Sequence, residues 1–277
     1  MTWKNSVCMT LGRVHCPDMN KMVEEKDTVE ISPIDYFYNA TAEILKIPPD
    51  FFTTYSKDFA GLFYVGLISA TENYFRDILG YILTECPLSQ AHSADERVQL
   101  GSLLWSPKDL HSRSAFEFMA FSSGKNIKDT IHKFLNYQLK NTGVAYSMVM
   151  EYDKLCELRH AIVHSGNIVA GKNAVKLDLK RSKKILRVDI TYSSLQTAGE
   201  ICTSLVQSAN NELFEMMIER WAESWRKQSS WDNSKEDKLL QNVRKAFLSS
   251  RDKKRKTIQS FKHTKELKKE IYNSFNI

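Results

Sequence analysis

The sequence predicts an all-α fold: a mainly helical bundle carrying one small β-hairpin and a basic helical tail. Three observations lead there. Glycine and proline are sparse, 10 and 6 in 277 residues, which favours long helices over a turn-rich β fold. Apolar residues recur at three- and four-residue spacing along most of the chain. One stretch, 175–191, switches to strict alternation. With 42% hydrophobic and 26% charged residues, the chain can bury a substantial core.

Residues 1–30 lack a period and read as an irregular arm. Ser32-Pro33 marks a helix start, proline being favoured at the first helical position; that helix runs to about Lys46, before Pro48-Pro49. Asp50 is expected to cap a long second helix, Phe51 to Cys86, with a break near Gly61 and a stop at Pro87. Its middle, Leu62 to Leu83, is apolar on most sides and reads as the central core helix. Shorter helices are expected at Ser93–Leu103, Ser112–Phe121 and Lys125–Leu139. Another starts near Gly143 and carries Val144, Met148, Tyr152, Leu155 and Cys156 inward, with Ser165-Gly166-Asn167 as its stop. Val175–Lys180 and Ile185–Thr191 then alternate around Arg181–Lys184, which predicts the hairpin, about 173–192. Ser194 caps a long amphipathic helix through Trp221. A polar break, Gln228 to Ser234, leads to a basic helix at Leu239–Leu248 and a highly charged end. The domain reading is an arm (1–30), a helical domain (31–226) and a basic helical extension (227–277).

The charge is concentrated at that end. Lys235 to Glu270 holds 13 Lys and Arg against 5 Asp and Glu, a surplus of eight where the whole chain has +6. No apolar run is long enough to span a bilayer, and the first residues lack the apolar block of a secretory signal; no membrane contact and a cytoplasmic location are the expectations. The five cysteines, Cys8, Cys16, Cys86, Cys156 and Cys202, are scattered without a C-x-x-C pair, as reduced thiols are.

The segment Glu157-Leu-Arg-His-Ala-Ile-Val-His-Ser-Gly-Asn167 carries the chemistry. Arg159 can hold a phosphate, and His160 and His164 can move protons near neutral pH. Arg159 and His164 are five residues apart, about 140° around an α-helix, so sharing a face requires the helix to unwind near Val163. A plain alternative is a C-terminal cap, since cations favour that end of the helix dipole. His160 and His164 also have the i, i+4 spacing of two zinc ligands, but no cysteine lies near and Glu157 is the one close carboxylate.

The pattern Arg159, His160, three residues, His164, then Ser-Gly-Asn, resembles the HEPN superfamily of helical ribonucleases, in the bacterial form R-H-x-I-V-H-x-G. The helix Ser69-Ala-Thr-Glu-Asn-Tyr-Phe-Arg-Asp-Ile-Leu79 resembles an upstream helix of those proteins. The resemblance covers about Ile34 to Trp225. It implies an endoribonuclease that uses neither metal nor cofactor: the RNA 2′-hydroxyl attacks the adjacent phosphate and leaves a 2′,3′-cyclic phosphate. His164 would be the acid/base, Arg159 the phosphate clamp, and His160 would position or share the proton. It further implies a homodimer with a composite cleft, a toxin or antiviral role, and an antitoxin or defence-complex partner. A non-catalytic RNA-binding or interaction module is the alternative.

Supporting positions follow. Glu72 and Arg76 form either a self-satisfied ion pair or, with Asn73, Glu157 and Asn167, a shell that orients the motif. Lys172, Lys176, Lys180, Arg181, Lys183, Lys184 and Arg187 read either as a solvated edge or as a rail for RNA phosphates. Lys253, Lys254 and Arg255 share that ambiguity, and the lack of interleaved aromatics there favours nonspecific phosphate attraction.

Overall fold

The computed structural model describes residues 12–25, 31–54, 57–228, 231–258, 260–261 and 263–277, with the backbone alone at 57 and 58. The chain divides into two units, Met1–Glu30 and Ile31–Ile277. The first, described over 12–25, is irregular apart from one 3₁₀ turn, Met19–Met22, whose cap Asp18 accepts from the Asn20 amide at 3.1 Å. The remainder of the expected arm, with Cys8, lies outside the described residues.

In the second unit the helices are α1 (Pro33–Leu45), α2 (Phe51–Thr54), α3 (Lys57–Glu85), α4 (Pro87–His92), α5 (Leu100–Trp105), α6 (His111–Ser114) and α7 (Gly124–Leu135). There follow α8 (Val144–His164), α9 (Gly171–Lys176), α10 (Tyr192–Glu223), α11 (Glu236–Phe247), α12 (Ser250–Arg255) and α13 (Thr264–Phe275). Among the described residues no helix is long and apolar enough to cross a membrane.

Local chemistry sets most boundaries. Ser32 caps α1 by accepting from the Asp35 amide, with Pro33 in the first turn. Asn136 ends α7 in the left-handed region at φ +48°, four residues before the expected stop. Thr191, not Ser194, caps α10. Ser194 is the third helical residue and completes a reciprocal capping box, its hydroxyl receiving the Thr191 amide at 2.8 Å. Pro87 ends α3 and also starts α4, where Cys86 Sγ accepts from Ser89. The expected helix at 93–103 is therefore replaced by α4, a non-helical connection and the short α5. Gly61 sits inside α3, which is uninterrupted from Lys57 to Glu85, so the expected break near Gly61 does not occur.

The three long helices α3, α8 and α10 form the centre. Tyr64 donates to the Leu155 carbonyl at 3.1 Å and Gly61 packs on Ile162, so α3 and α8 run antiparallel. Along α10, Leu195, Ala198, Cys202, Leu205, Ala209, Leu213 and Met216 are buried against these neighbours. Gly80 lets α3 approach α6 closely: a β-carbon there would stand 2.7 Å from the Arg113 Cα. The segment after residue 227, read from sequence as an extension, belongs to the same unit. Leu240, Val243, Phe247, Leu267 and Ile271 enter the common core. Asp35 on α1 accepts from the Ser249 hydroxyl and from the Ser250 and Arg251 amides, at 3.0, 2.8 and 3.3 Å.

The hairpin is not present among the described residues. Where its first strand was expected, α9 forms, because Asn173 is buried and held by Glu157. Asp178 turns to φ +51° and breaks the extension. Val175, which alternation would bury, is 80% exposed. The second expected strand does not form either; within it only residues 186–188 pair, with residues 167–169. Val169 donates to the Leu186 carbonyl and Val188 to the Asn167 carbonyl, at 2.9 and 2.8 Å, around one antiparallel bridge, Ile168 to Arg187.

Candidate functional site

α8 places the motif. Its buried residues Ala145, Val149, Tyr152 and Cys156 step at helical spacing toward α10, and Arg159 is next on that seam. The Arg159 Nε is accordingly buried, and it has no hydrogen-bond partner. The guanidinium reaches past the helix end, where Nη1 lies 3.3 Å from His164 Nε2. The His160 and His164 rings are 4.9 Å apart, tilted by 50°. The expected unwinding near Val163 does not occur: α8 stays helical through His164. The reach of the arginine side chain closes the angular gap instead.

Beyond His164 the chain turns sharply. Ser165 and Asn167 both donate to the Ala161 carbonyl at 3.1 Å. Gly166 and Asn167 take φ of +54° and +66°, conformations that glycine and asparagine tolerate best. This turn delivers residues 167–169 to their pairing with 186–188. Arg187 is thereby pinned opposite Ile168, four residues from His164.

Glu157 does not face the histidines. Its carboxylate accepts from Asn173 Nδ2 at 2.6 Å and pairs with Lys176, holding α9 against α8. That hydrogen bond and its charge raise the Lys176 pKa above the ordinary lysine value. Lys176 is thus neutralised locally, while Lys172, Lys180, Arg181, Lys183, Lys184 and Arg187 are exposed.

Glu72, Asn73 and Arg76 form a cluster of their own. Arg76 donates to Glu72 at 3.0 Å, to Asn73 at 3.3 Å and to the Met119 carbonyl at 3.2 Å, with its guanidinium 5.5 Å from the Phe121 ring centre. Glu72 raises the pKa values of Tyr152 and Cys156 as a minor contribution beside burial. Lys253, Lys254 and Arg255 lie on α12, exposed. Among the described residues no group of three or more His, Cys, Asp or Glu side chains comes together.

A cation beside two imidazoles can bind a phosphate oxygen and exchange a proton with a neighbouring hydroxyl. The motif is on an open surface: His164 and Val163 are exposed, as is Leu62 next to Gly61 on the facing helix. Searches of family models, curated proteins and solved structures found no match to this chain.

Sequence reasoning missed α9 and the true partner of residues 186–188. The alternation at 175–179 resembles a strand, and only the buried contact of Asn173 with Glu157 favours the helix. It also missed a cavity of about 690 Å³ bounded by α10, α11 and α12. Its walls come from four separated segments, which no local pattern connects.

Proposed function

We propose that this protein is a metal-independent endoribonuclease of the HEPN type, acting in the cytoplasm as a toxin or antiviral effector. Arg159 clamps the scissile phosphate and stabilises its added charge, and His164 moves the 2′-hydroxyl proton. His160 positions or shares that proton, and the product carries a 2′,3′-cyclic phosphate. The convergence of Arg159 Nη1 on His164 Nε2, with the His160 ring 4.9 Å from that of His164, carries this reading. Arg187, Lys172 and the 180–184 cations would attract RNA toward the motif. Because the motif lies open, the reading includes a homodimer in which a second copy closes the cleft. An antitoxin or defence-complex partner would restrain it.

The test is cleavage of total RNA by the full chain with end-group analysis. Arg159→Ala and His164→Ala should each lower the rate by roughly 100-fold or more, and EDTA should leave it unchanged. Cleavage persisting in both variants would refute the assignment. A non-catalytic RNA-binding module is the second reading, favoured by the exposed cations and by the position of the cavity away from the motif. It predicts salt-sensitive RNA binding without turnover.

A further inference from the structure

The cavity has no α8 residue in its walls. Its volume of about 690 Å³ falls in the range of pockets that enclose small ligands, about 300–1,000 Å³. The chemistry of the walls is divided. Phe214 and Phe247 form an apolar floor, their rings 5.7 Å apart and tilted by 56°. Phe261 stands in the wall at 38% exposure, its carbonyl held by the Arg244 guanidinium. Arg244 and Arg255 supply positive charge. A second cavity of about 490 Å³ shares the Phe261 wall and is edged by Lys253 and Lys256. The acid in the first cavity, Asp252, accepts a hydrogen bond from Tyr38 at 2.9 Å.

Aromatic surface beside several cations fits a ligand with an aromatic ring at one end and phosphates at the other. We propose that this pair of cavities binds a free nucleoside polyphosphate. The base lies against Phe214 and Phe247. The phosphates point toward Arg255, Lys253 and Lys256. Stacking of a base on an aromatic side chain contributes about 1–3 kcal/mol, and guanidinium–phosphate pairs add charge-assisted hydrogen bonds. A free nucleotide is preferred to an RNA strand because the cations cluster at two adjoining cavities rather than following a track. The site is separate from the motif, so the proposal stands whether or not the chain cleaves RNA.

Calorimetric titration of the full chain with ADP, GDP, CDP and UDP tests it, with adenosine and inorganic pyrophosphate as the separated halves. Saturable one-to-one binding of at least one diphosphate is expected, with adenosine and pyrophosphate at least tenfold weaker. Arg255→Glu and Lys253→Glu, at exposed positions, should each weaken the diphosphate at least tenfold while Arg159→Ala leaves it unchanged. Four results would overturn the proposal: no saturable binding of any of the four at millimolar concentration; pyrophosphate binding as tightly as the diphosphate; unchanged affinity in both charge reversals; or loss of binding in Arg159→Ala.

Discussion

Arg159 Nη1 and His164 Nε2 stand 3.3 Å apart, although their Cα atoms sit on different faces of α8. The motif therefore presents an imidazole edge beside a guanidinium. The residue types and the spacing of this trio were legible in the sequence. The means of their approach was not, because helix geometry fixes Cα positions and leaves out the reach of a long side chain. At the same scale, the thiols divide sharply. Burial pushes Cys156 well above an ordinary thiol and Cys202 up to about 12, and Cys86 is buried while Cys16 is exposed. Thiol reagents at pH 8 are expected to modify Cys16 within minutes and to leave Cys86, Cys156 and Cys202 intact until denaturant is added. Mass mapping of the labelled peptides checks this, and rapid native labelling of Cys202 would contradict it.

At the scale of elements, the seating of a helix depends on single close contacts. The α3–α6 crossing needs a bare backbone at residue 80, so Gly80→Ala is expected to cost about 1–3 kcal/mol, read as a lowered midpoint in urea. An unchanged midpoint would show that α6 can shift without cost. α9 depends on Glu157, which engages Asn173 and Lys176 together. Glu157→Ala should speed amide exchange of residues 171–177 while the buried centre of α8 stays protected. Equal exchange in both regions would mean that Glu157 supports α8 as well. The long helices were readable because their periods and caps are local. The hairpin misreading has the opposite origin: alternation at Val175, Leu177 and Leu179 is a local signal overridden by a tertiary one, the buried Asn173. Likewise, Ser194 and Thr191 are both acceptable caps by residue type, and only the reciprocal bond distinguishes them.

Across the whole molecule, the C-terminal helices are fastened to the bundle through charge as well as apolar contact. Glu236 is buried, which by itself would raise its pKa. Hydrogen bonds from Lys268 and Tyr272, and the charges of Lys268 and Arg226, outweigh burial and hold it below the usual glutamate value. Its stabilisation is therefore complete above about pH 4.5 and lost as pH falls through the lower folded value. Comparing wild type with Glu236→Gln removes the opposite contributions of Asp77 and Glu85, whose pKa values burial raises. The stability gap between the two should be about 1–3 kcal/mol at pH 7 and should shrink progressively below pH 4.5. A gap constant from pH 7 to 3 would exclude the linkage. The sequence showed the surplus of charge in this region but not its division between ion pairs such as Lys268 and cavity cations such as Arg255, since that depends on which face of each helix docks.

The contacts of Asp35 join residues 214 to 216 positions apart, which bears on how the protein is made. Synthesis runs from the N-terminus, so α1 emerges long before the Ser249 hydroxyl and the Ser250 and Arg251 amides that donate to it. Until then its carboxylate must remain hydrated, and the apolar faces awaiting α11 and α13 stay uncovered. A nascent chain halted before residue 249 lacks both the fastening and the cavity walls supplied by residues 249–267. Closure over α1 thus waits until α11, α12 and α13 have been released.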